Sequence, residues 1–226
     1  MDGLLLVDKP VGLSSYDVIR RLKPLLPKGI KIGHAGTLDP LATGLLLILI
    51  GRATKQATQL LKLDKTYEGQ ITLGATSATD DAEGPILEVR SSELGVRKLT
   101  ENEVKKVLQK FEGDIEQIPP AHSAIKVGGQ RAYRLARKGQ HVKLAPRMVT
   151  IYDLKLTSYD YPLVGFTAKV SSGTYIRSLA RDIGEKLGTG GYLSQLRRTQ
   201  IGDYDIKDAI VPAVTLGQIG AALLVI

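Results

Sequence analysis

One acid on a glycine-punctuated turn is the first candidate for chemistry. The stretch Gly33-His34-Ala35-Gly36-Thr37-Leu38-Asp39-Pro40-Leu41-Ala42-Thr43-Gly44 carries Asp39, His34 and two threonines, and runs directly into the apolar stretch 45–50. Pro40 biases Asp39 away from the α region toward an extended conformation. Glycines at 33, 36 and 44 let the backbone fold tightly around it. A loop held against a buried strand is a common way to present one functional side chain. An Asp before proline is nonetheless more often a turn former than a catalyst. No second carboxylate lies close in sequence, and neither a Ser-His-Asp order nor a phosphate-cradling loop is present. Cysteine is absent, which excludes thiolate nucleophiles, disulfides and Cys-ligated metals. His34, His122 and His141 are far apart, so no histidine pair has metal-ligand spacing. The expectation is no metal site.

The elements that must position Asp39 can be read from periodicity. Residues 3–7 and 45–50 are apolar runs with the length of buried strands. Between them, Ser14-Ser15-Tyr16-Asp17 starts a helix striped by Val18, Leu22 and Leu25 and stopped by Pro27, with Arg20, Arg21 and Lys23 on a solvated face. Residues 53–61 read as a helix and 65–74 as a strand. Residues 76–84, with Asp80, Asp81 and Glu83, lack the spacing of a calcium loop and read as a solvent-facing turn. Thr100-Glu101-Asn102-Glu103 is a capping box ahead of a structural helix. Residues 123–127 read as a short strand closed by Gly128-Gly129. Residues 148–157 and 164–170 alternate as strands, and residues 192–198 form another. Ser171-Ser172-Gly173-Thr174 enters a helix with an Ile176, Leu179, Ala180, Ile183, Leu187 stripe. Arg177, Arg181 and Glu185 lie on its second face, with Arg181 and Glu185 spaced for a surface pair. Arg177, near the helix start, is placed to point at a site beyond a sheet edge. The class is α+β (mixed α/β), in one continuous body of two lobes.

The formal net charge is +8 over 226 residues, with 43% hydrophobic and 24% charged residues. A basic globular chain commonly meets a polyanion, often nucleic acid. The segment 130–140 interleaves Arg131, Arg134, Arg137 and Lys138 with Tyr133, a pattern suited to single-stranded or loop RNA, where bases stack and phosphates pair. An ordinary cationic helix face is the alternative. The first ten residues do not read as a secretory leader, and no run has membrane-spanning length, so the expected location is the cytoplasm.

The motif 34–44 closely resembles the signature of the TruB family of tRNA pseudouridine synthases. Leu6-Val7-Asp8-Lys9-Pro10, Lys65-Thr66-Tyr67, Ser123-Ala124-Ile125-Lys126, residues 172–182 and Leu196-Arg197-Arg198 match as well, in family order. The resemblance implies a pseudouridine synthase fold and conversion of uridine 55 in the tRNA T loop to pseudouridine. No cofactor is needed, because the reaction is redox-neutral and transfers no external group. It further implies that Asp39 is the essential carboxylate, acting by attack at C1′ or through a glycal. Arg177 would pair with Asp39. Tyr67 would stack on the flipped uracil and take part in proton transfer at C5. Tyr175 would line the pocket, Leu196 would form its apolar wall, and Lys9 would support the active-site strand. His34 would enter the T loop. Lys126, Arg131 and Arg134 would lie on an RNA-clamping loop over about 119–146.

Two departures stand out: Ala78 stands where the family often has an acid, so no role is drawn from position 78, and Ser171 stands where many members have cysteine, which leaves the chemistry untouched. The expected layout is a catalytic domain over 1–211 and a short tail over 212–226, a short form lacking most or all of the family's C-terminal PUA-type RNA-binding domain. That layout favours a monomer without an obligate protein partner over a guide-RNA-dependent relative. The competing reading is a non-catalytic tRNA-binding or folding module of the same fold. The intact set of Asp39, Tyr67 and Arg177 argues against it.

Overall fold

Two uninterrupted apolar runs decide the start of the fold. In the computed structural model, which describes residues 1–89, 99–140, 142–212 and 216–225, the chain begins β1 (Gly3–Lys9), α1 (Ser15–Leu22), β2 (Ile32–Ala35), β3 (Thr43–Ile50), α2 (Ala57–Leu61) and β4 (Lys65–Leu73). β1 and β3 pair antiparallel from Gly3 opposite Ile50 to Lys9 opposite Gly44. Both faces of this pair are covered, which is why neither strand alternates. Leu5, Val7, Leu46 and Ile48 pack with Val18, Ile19 and Leu22 of α1. Leu4, Leu6, Leu45 and Leu47 pack with Ala53, Leu60 and Ile201. β2 runs antiparallel along β3. The turn holding Asp39 is therefore the link between two paired strands.

α1 opens on a capping box of Ser14 and Asp17. It stops at Leu22, earlier than expected, and a 3₁₀ turn Lys23–Leu25 follows. Pro24, lacking an N–H, ends the helix before Pro27 can. The expected helix over 53–61 is in fact a 3₁₀ segment Gly51–Gln56 followed by α2. Arg20 and Arg21 are exposed, and Arg20 pairs with Asp17.

By internal packing the chain divides into one unit of Met1–Glu68 with Leu196–Ile226 and another of Gly69–Gln195. The second unit holds the later part of β4, then β5 (Ala75–Ser77), β6 (Ile86–Glu88), α3 (Glu101–Gln109), β7 (Gly113–Gln117), β8 (Lys126–Val127), β9 (Gln130–Arg131), α4 (Ala132–Ala136), β10 (Arg147–Asp160), β11 (Leu163–Val170), α5 (Ile176–Leu187) and the start of β12 (Gly191–Ile201). Its strands lie in the order β12-β4-β11-β10-β7. Phe166 is buried against Gly69, where an added Cβ would lie 2.5 Å from the ring's Cζ. α3 packs against β10 and α5. Gly128 and Gly129, at φ of 57° and 83°, turn the β8–β9 hairpin, as a primed two-residue turn requires.

The remaining elements, β13 (Tyr204–Asp205) and α6 (Leu216–Ala221), return to the first unit. There β12 runs parallel to β3, Arg197 opposite Thr43 and Arg198 opposite Gly44. The tail holds α6, with Ile219 buried beside Leu5 and Leu46. His141 of the expected clamping loop, and residues 213–215 and 226 of the expected tail, lie outside the described residues. Parallel and antiparallel pairings coexist in a large mixed sheet, as the α+β expectation requires.

The capping box of α3 is formed as read: Thr100 Oγ1 accepts from the Glu103 N–H at 3.3 Å, and Glu103 accepts from the Thr100 N–H at 2.9 Å. Thr100→Ala is expected to cost about 1 kcal/mol, lowering Tm by about 2–4 °C. Thermal denaturation of the variant beside the parent checks this.

Candidate active site

Asp39 sits in a turn whose backbone is tied down on both sides. The Gly12 N–H donates to the Pro40 carbonyl at 2.8 Å, and the Ala42 N–H donates to the carbonyl of Asp39 at 3.1 Å. The hydroxyl of Ser15 bonds to both main-chain groups of Leu38. Gly36 and Gly44, at φ of 84° and 100°, take the left-handed conformation that the turn demands. A Cβ on Gly44 would come within 2.3 Å of the Arg198 carbonyl oxygen.

Among the described residues of this unit three cations, Lys9, Lys65 and Arg198, are buried, and each donates to main-chain carbonyls. Lys9 is fully buried and donates to the carbonyls of Pro10 and Leu13 at 3.0 and 2.7 Å. Arg198 donates from Nε to Leu45 O and from Nη2 to Gly36 O, both at 2.8 Å. Lys65 donates to Leu61 O and Leu63 O, and burial lowers its pKa to about 8, with a smaller push from the Arg198 charge. Buried charges persist only where polar partners satisfy them. The neighbouring Arg197 makes a two-pronged ion pair with Asp8, at 2.7 and 3.1 Å. This pair ties β12 to β1.

The other residues expected in this unit are placed as follows. His34 lies on β2 opposite Ile48. Its Nδ1 is buried and has no hydrogen-bond partner among the described residues. Burial, then the Arg198 charge, lowers its pKa, so the ring is neutral at pH 7. Tyr67 is buried on β4. Leu196 is half-buried on β12, and its carbonyl accepts from Thr43 Oγ1 at 3.3 Å.

The second unit assembles a buried constellation around the start of α5. Arg177 is the second residue of the helix and is buried at 6% exposure. A cation in the first helical turn opposes the macrodipole, so its burial there needs compensation. That comes from Asp81, whose Oδ2 lies 3.4 Å from Nη1. Nη1 also donates to Thr79 O at 3.1 Å, and Nη2 donates to His122 O at 3.0 Å. The other Asp81 oxygen accepts from Thr79 Oγ1 at 2.5 Å and from the Glu83 N–H at 3.0 Å.

Two expectations are corrected here. Residues 76–84 do turn, with Ala78, Ala82 and Glu83 exposed, but the turn is not wholly solvent-facing: β5 and β6 clasp it, Asp81 is buried, and Asp80 takes a left-handed φ of 61°. A non-glycine residue in that conformation marks strain held by its surroundings. Burial raises the Asp80 pKa, against the lowering by Arg181. Arg181 does not form a surface pair with Glu185; it pairs with Asp80 at 2.9 Å and Asp182 at 2.8 Å. The acids and arginines of these two segments neutralise one another inside the unit. Nothing local in sequence separates a buried Asp81 from a solvated one. The clearest hint was Thr79-Asp80-Asp81 itself, since a side-chain-bonded turn pins a carboxylate.

Tyr175, directly ahead of α5, is held through its backbone. Gln117 donates to the Tyr175 carbonyl at 3.1 Å and accepts from its N–H at 2.8 Å. Ser178 donates to Ile118 O at 2.8 Å. The root of the expected RNA-clamping loop is thereby fastened to the helix that bears Arg177. Within that loop Lys126, Arg131 and Arg134 are exposed. The expected strand over 123–127 is confined to Lys126–Val127. Arg134 and Arg137 both lie over the Tyr133 ring, at 5.9 and 5.7 Å. Cation–π stacking of this kind preorganises a charged, flat surface.

A family model described as "TruB family pseudouridylate synthase (N terminal domain)" matches residues 23–176, and "tRNA pseudouridylate synthase B C-terminal domain" matches 177–225. The chain belongs to the TruB pseudouridylate synthase family. Among curated relatives, tRNA pseudouridine synthase B of Aquifex aeolicus strain VF5 is 47% identical, the alignment covering 93% of this chain and 72% of the relative. That of Cupriavidus taiwanensis is 49% identical over 97% of this chain and 67% of the relative. A solved Cbf5-Nop10-Gar1 complex contains a similar chain, with TM-score 0.70, 30% identity and 92% of this chain covered. This chain spans about half the length of that one, 52%. Family membership makes the protein an enzyme, a pseudouridine synthase.

Proposed function

We propose that this chain isomerises uridine to pseudouridine in tRNA, at position 55 of the T loop. The observation that carries the reading is the Asp39 turn: the family motif intact, its backbone fixed on either side of the carboxylate. Isomerisation breaks the N1–C1′ bond, rotates the uracil, and forms a C5–C1′ bond; N1 gains a proton and C5 loses one. Asp39 acts on the ribose, by attack at C1′ or through a glycal. The target base is stacked within the loop and must be flipped out first.

The family resemblance assigns the remaining roles. Arg177 pairs with Asp39 and keeps it ionised and oriented. Tyr67 stacks on the uracil and serves proton transfer at C5. Tyr175 and Leu196 line the pocket, and Lys9 supports the strand beside the turn. His34, neutral at pH 7, occupies space left by the flipped nucleotides. Lys126, Arg131 and Arg134 meet the RNA backbone from the 119–146 loop. We assign residues 1–211 as the catalytic domain, 212–226 as its tail, and the monomer as the working form in the cytoplasm. Support for the membrane-free part is that no described helix is long and apolar enough to span a bilayer.

The test is incubation of the chain with an unmodified T-arm stem-loop, followed by mapping of pseudouridine. Product at the position equivalent to 55 is expected; none, or product elsewhere, contradicts the reading. Affinity for the same RNA should fall with salt. The triple variant Arg131→Ala, Arg134→Ala, Arg137→Ala should flatten the log–log slope by about 0.7–0.9 for each phosphate it leaves unneutralised. A slope identical to the parent's, measured by filter binding across salt, would remove these residues from the RNA interface.

A further inference from the structure

The turn that presents Asp39 is held by groups outside the turn, and one of them bonds to the residue next to it. Ser15 is buried at the first position of α1. Its Oγ accepts from the Leu38 N–H at 2.8 Å and donates to the Leu38 carbonyl at 3.1 Å. One side chain thus satisfies both main-chain groups of the residue before Asp39. The Leu38 carbonyl belongs to the peptide that carries the Asp39 N–H, so its orientation sets where the Asp39 Cα and side chain begin. The Leu38 side chain is itself buried.

The hydroxyl is not needed to cap the helix. Ser14 is the N-cap, with its own capping box to Asp17. Ser15 therefore has no helix-building reason to be serine, and at the first helical position many residue types serve. Across the turn a second anchor, Arg198, grips Gly36 O at 2.8 Å while its own backbone pairs with Gly44. A buried neutral hydrogen bond of the Ser15 kind adds little net stability but leaves costly unsatisfied groups when removed. A displaced peptide beside a reacting carboxylate costs rate out of proportion to stability.

We infer that Ser15 is a positioning residue for catalysis, fixing the Leu38–Asp39 peptide so that the Asp39 carboxylate meets the ribose. The inference rests on the assignment of Asp39 as the reacting group. Ser15 touches no substrate and acts only through the backbone of the turn.

The test compares Ser15→Ala, Ser15→Cys and Asp39→Asn under single-turnover conditions on the T-arm stem-loop, alongside Kd for the same RNA and Tm. Ser15→Ala should lower the rate constant on the order of 10²-fold, with Kd within about threefold of the parent, a change worth less than ~1 kcal/mol. Ser15→Cys keeps a weak donor on a slightly larger side chain; its rate should fall between those of the parent and Ser15→Ala. Parental rates in both Ser15 variants, or a rate loss matched by an equal loss of affinity, would overturn the positioning role. The Asp39→Asn arm separates the two failures: an active Asp39→Asn sinks the underlying assignment, whereas an inactive Asp39→Asn beside an unaffected Ser15→Ala sinks this inference alone. Should Ser15→Ala not fold, Ser15→Cys at parental rate and affinity decides against it.

Discussion

Asp39→Asn is expected to lose pseudouridine formation by about 10⁴-fold or more while leaving affinity for the T arm within a few-fold of the parent. The magnitude follows from the type of group removed: replacing the reacting group of an enzyme commonly costs ~10⁴–10⁶ in turnover. The amide is nearly isosteric with the carboxylate, so the turn should keep its shape. Main-chain groups of the turn are held by Gly12, Ser15, Ala42 and Arg198. What disappears is the negative charge and the lone pairs that would attack C1′ or assist elimination. Single-turnover assay of the purified variant, with filter binding in parallel, separates the two effects. A variant that turns over normally would return Asp39 to the status of a turn former. A variant that binds and does not turn over also disposes of the reading of this chain as a tRNA-binding module alone, because the parent's activity would then have a chemical seat.

Much of the first unit was legible because its signals are local. The runs 4–7 and 45–50 have one reading at their length, and the structure pairs them residue for residue. The Thr100 capping box is formed where its four-residue pattern places it, and the helix start at Ser14 proves to carry one as well. The misreadings came where the deciding partner is distant in sequence. Asp80 and Asp81 look solvated among polar neighbours, and only the arrival of Arg177 and Arg181 from α5 makes their burial possible. In sequence Arg198 is one of two adjacent arginines, with nothing local to mark it as buried. Its burial depends on the Leu45 carbonyl of β3 and the Gly36 carbonyl just after β2, both distant in sequence from β12. Asp39 itself was legible as a suspicious acid from its turn. Its chemistry came from a resemblance, because spacing around one carboxylate does not specify a reaction. Ser15 went unnoticed for the opposite reason: beside Ser14 it looked like part of a helix start, and its bond to Leu38 is a tertiary fact.

Arg177→Lys should be the more informative of the charge-preserving variants, lowering the single-turnover rate on the order of 10²-fold with a small change in RNA affinity. The guanidinium reaches three acceptors at once: Thr79 O and the Asp81 carboxylate from Nη1, and His122 O from Nη2. A lysine ammonium is a single point and cannot span the same acceptors from one position. At least one buried carbonyl would be left without its donor, costing about 1–3 kcal/mol of stability. Asp81→Asn attacks the same node from the other side. It keeps the shape and removes the charge that offsets a cation buried in a first helical turn. If Arg177 acts only as a structural plug, both variants should lower Tm and leave the rate of correctly folded enzyme intact. If it also orients and ionises Asp39, Arg177→Lys should depress the rate at temperatures far below its Tm. An unchanged rate in a folded Arg177→Lys enzyme would refute the pairing with Asp39 and leave Arg177 as an element of the fold.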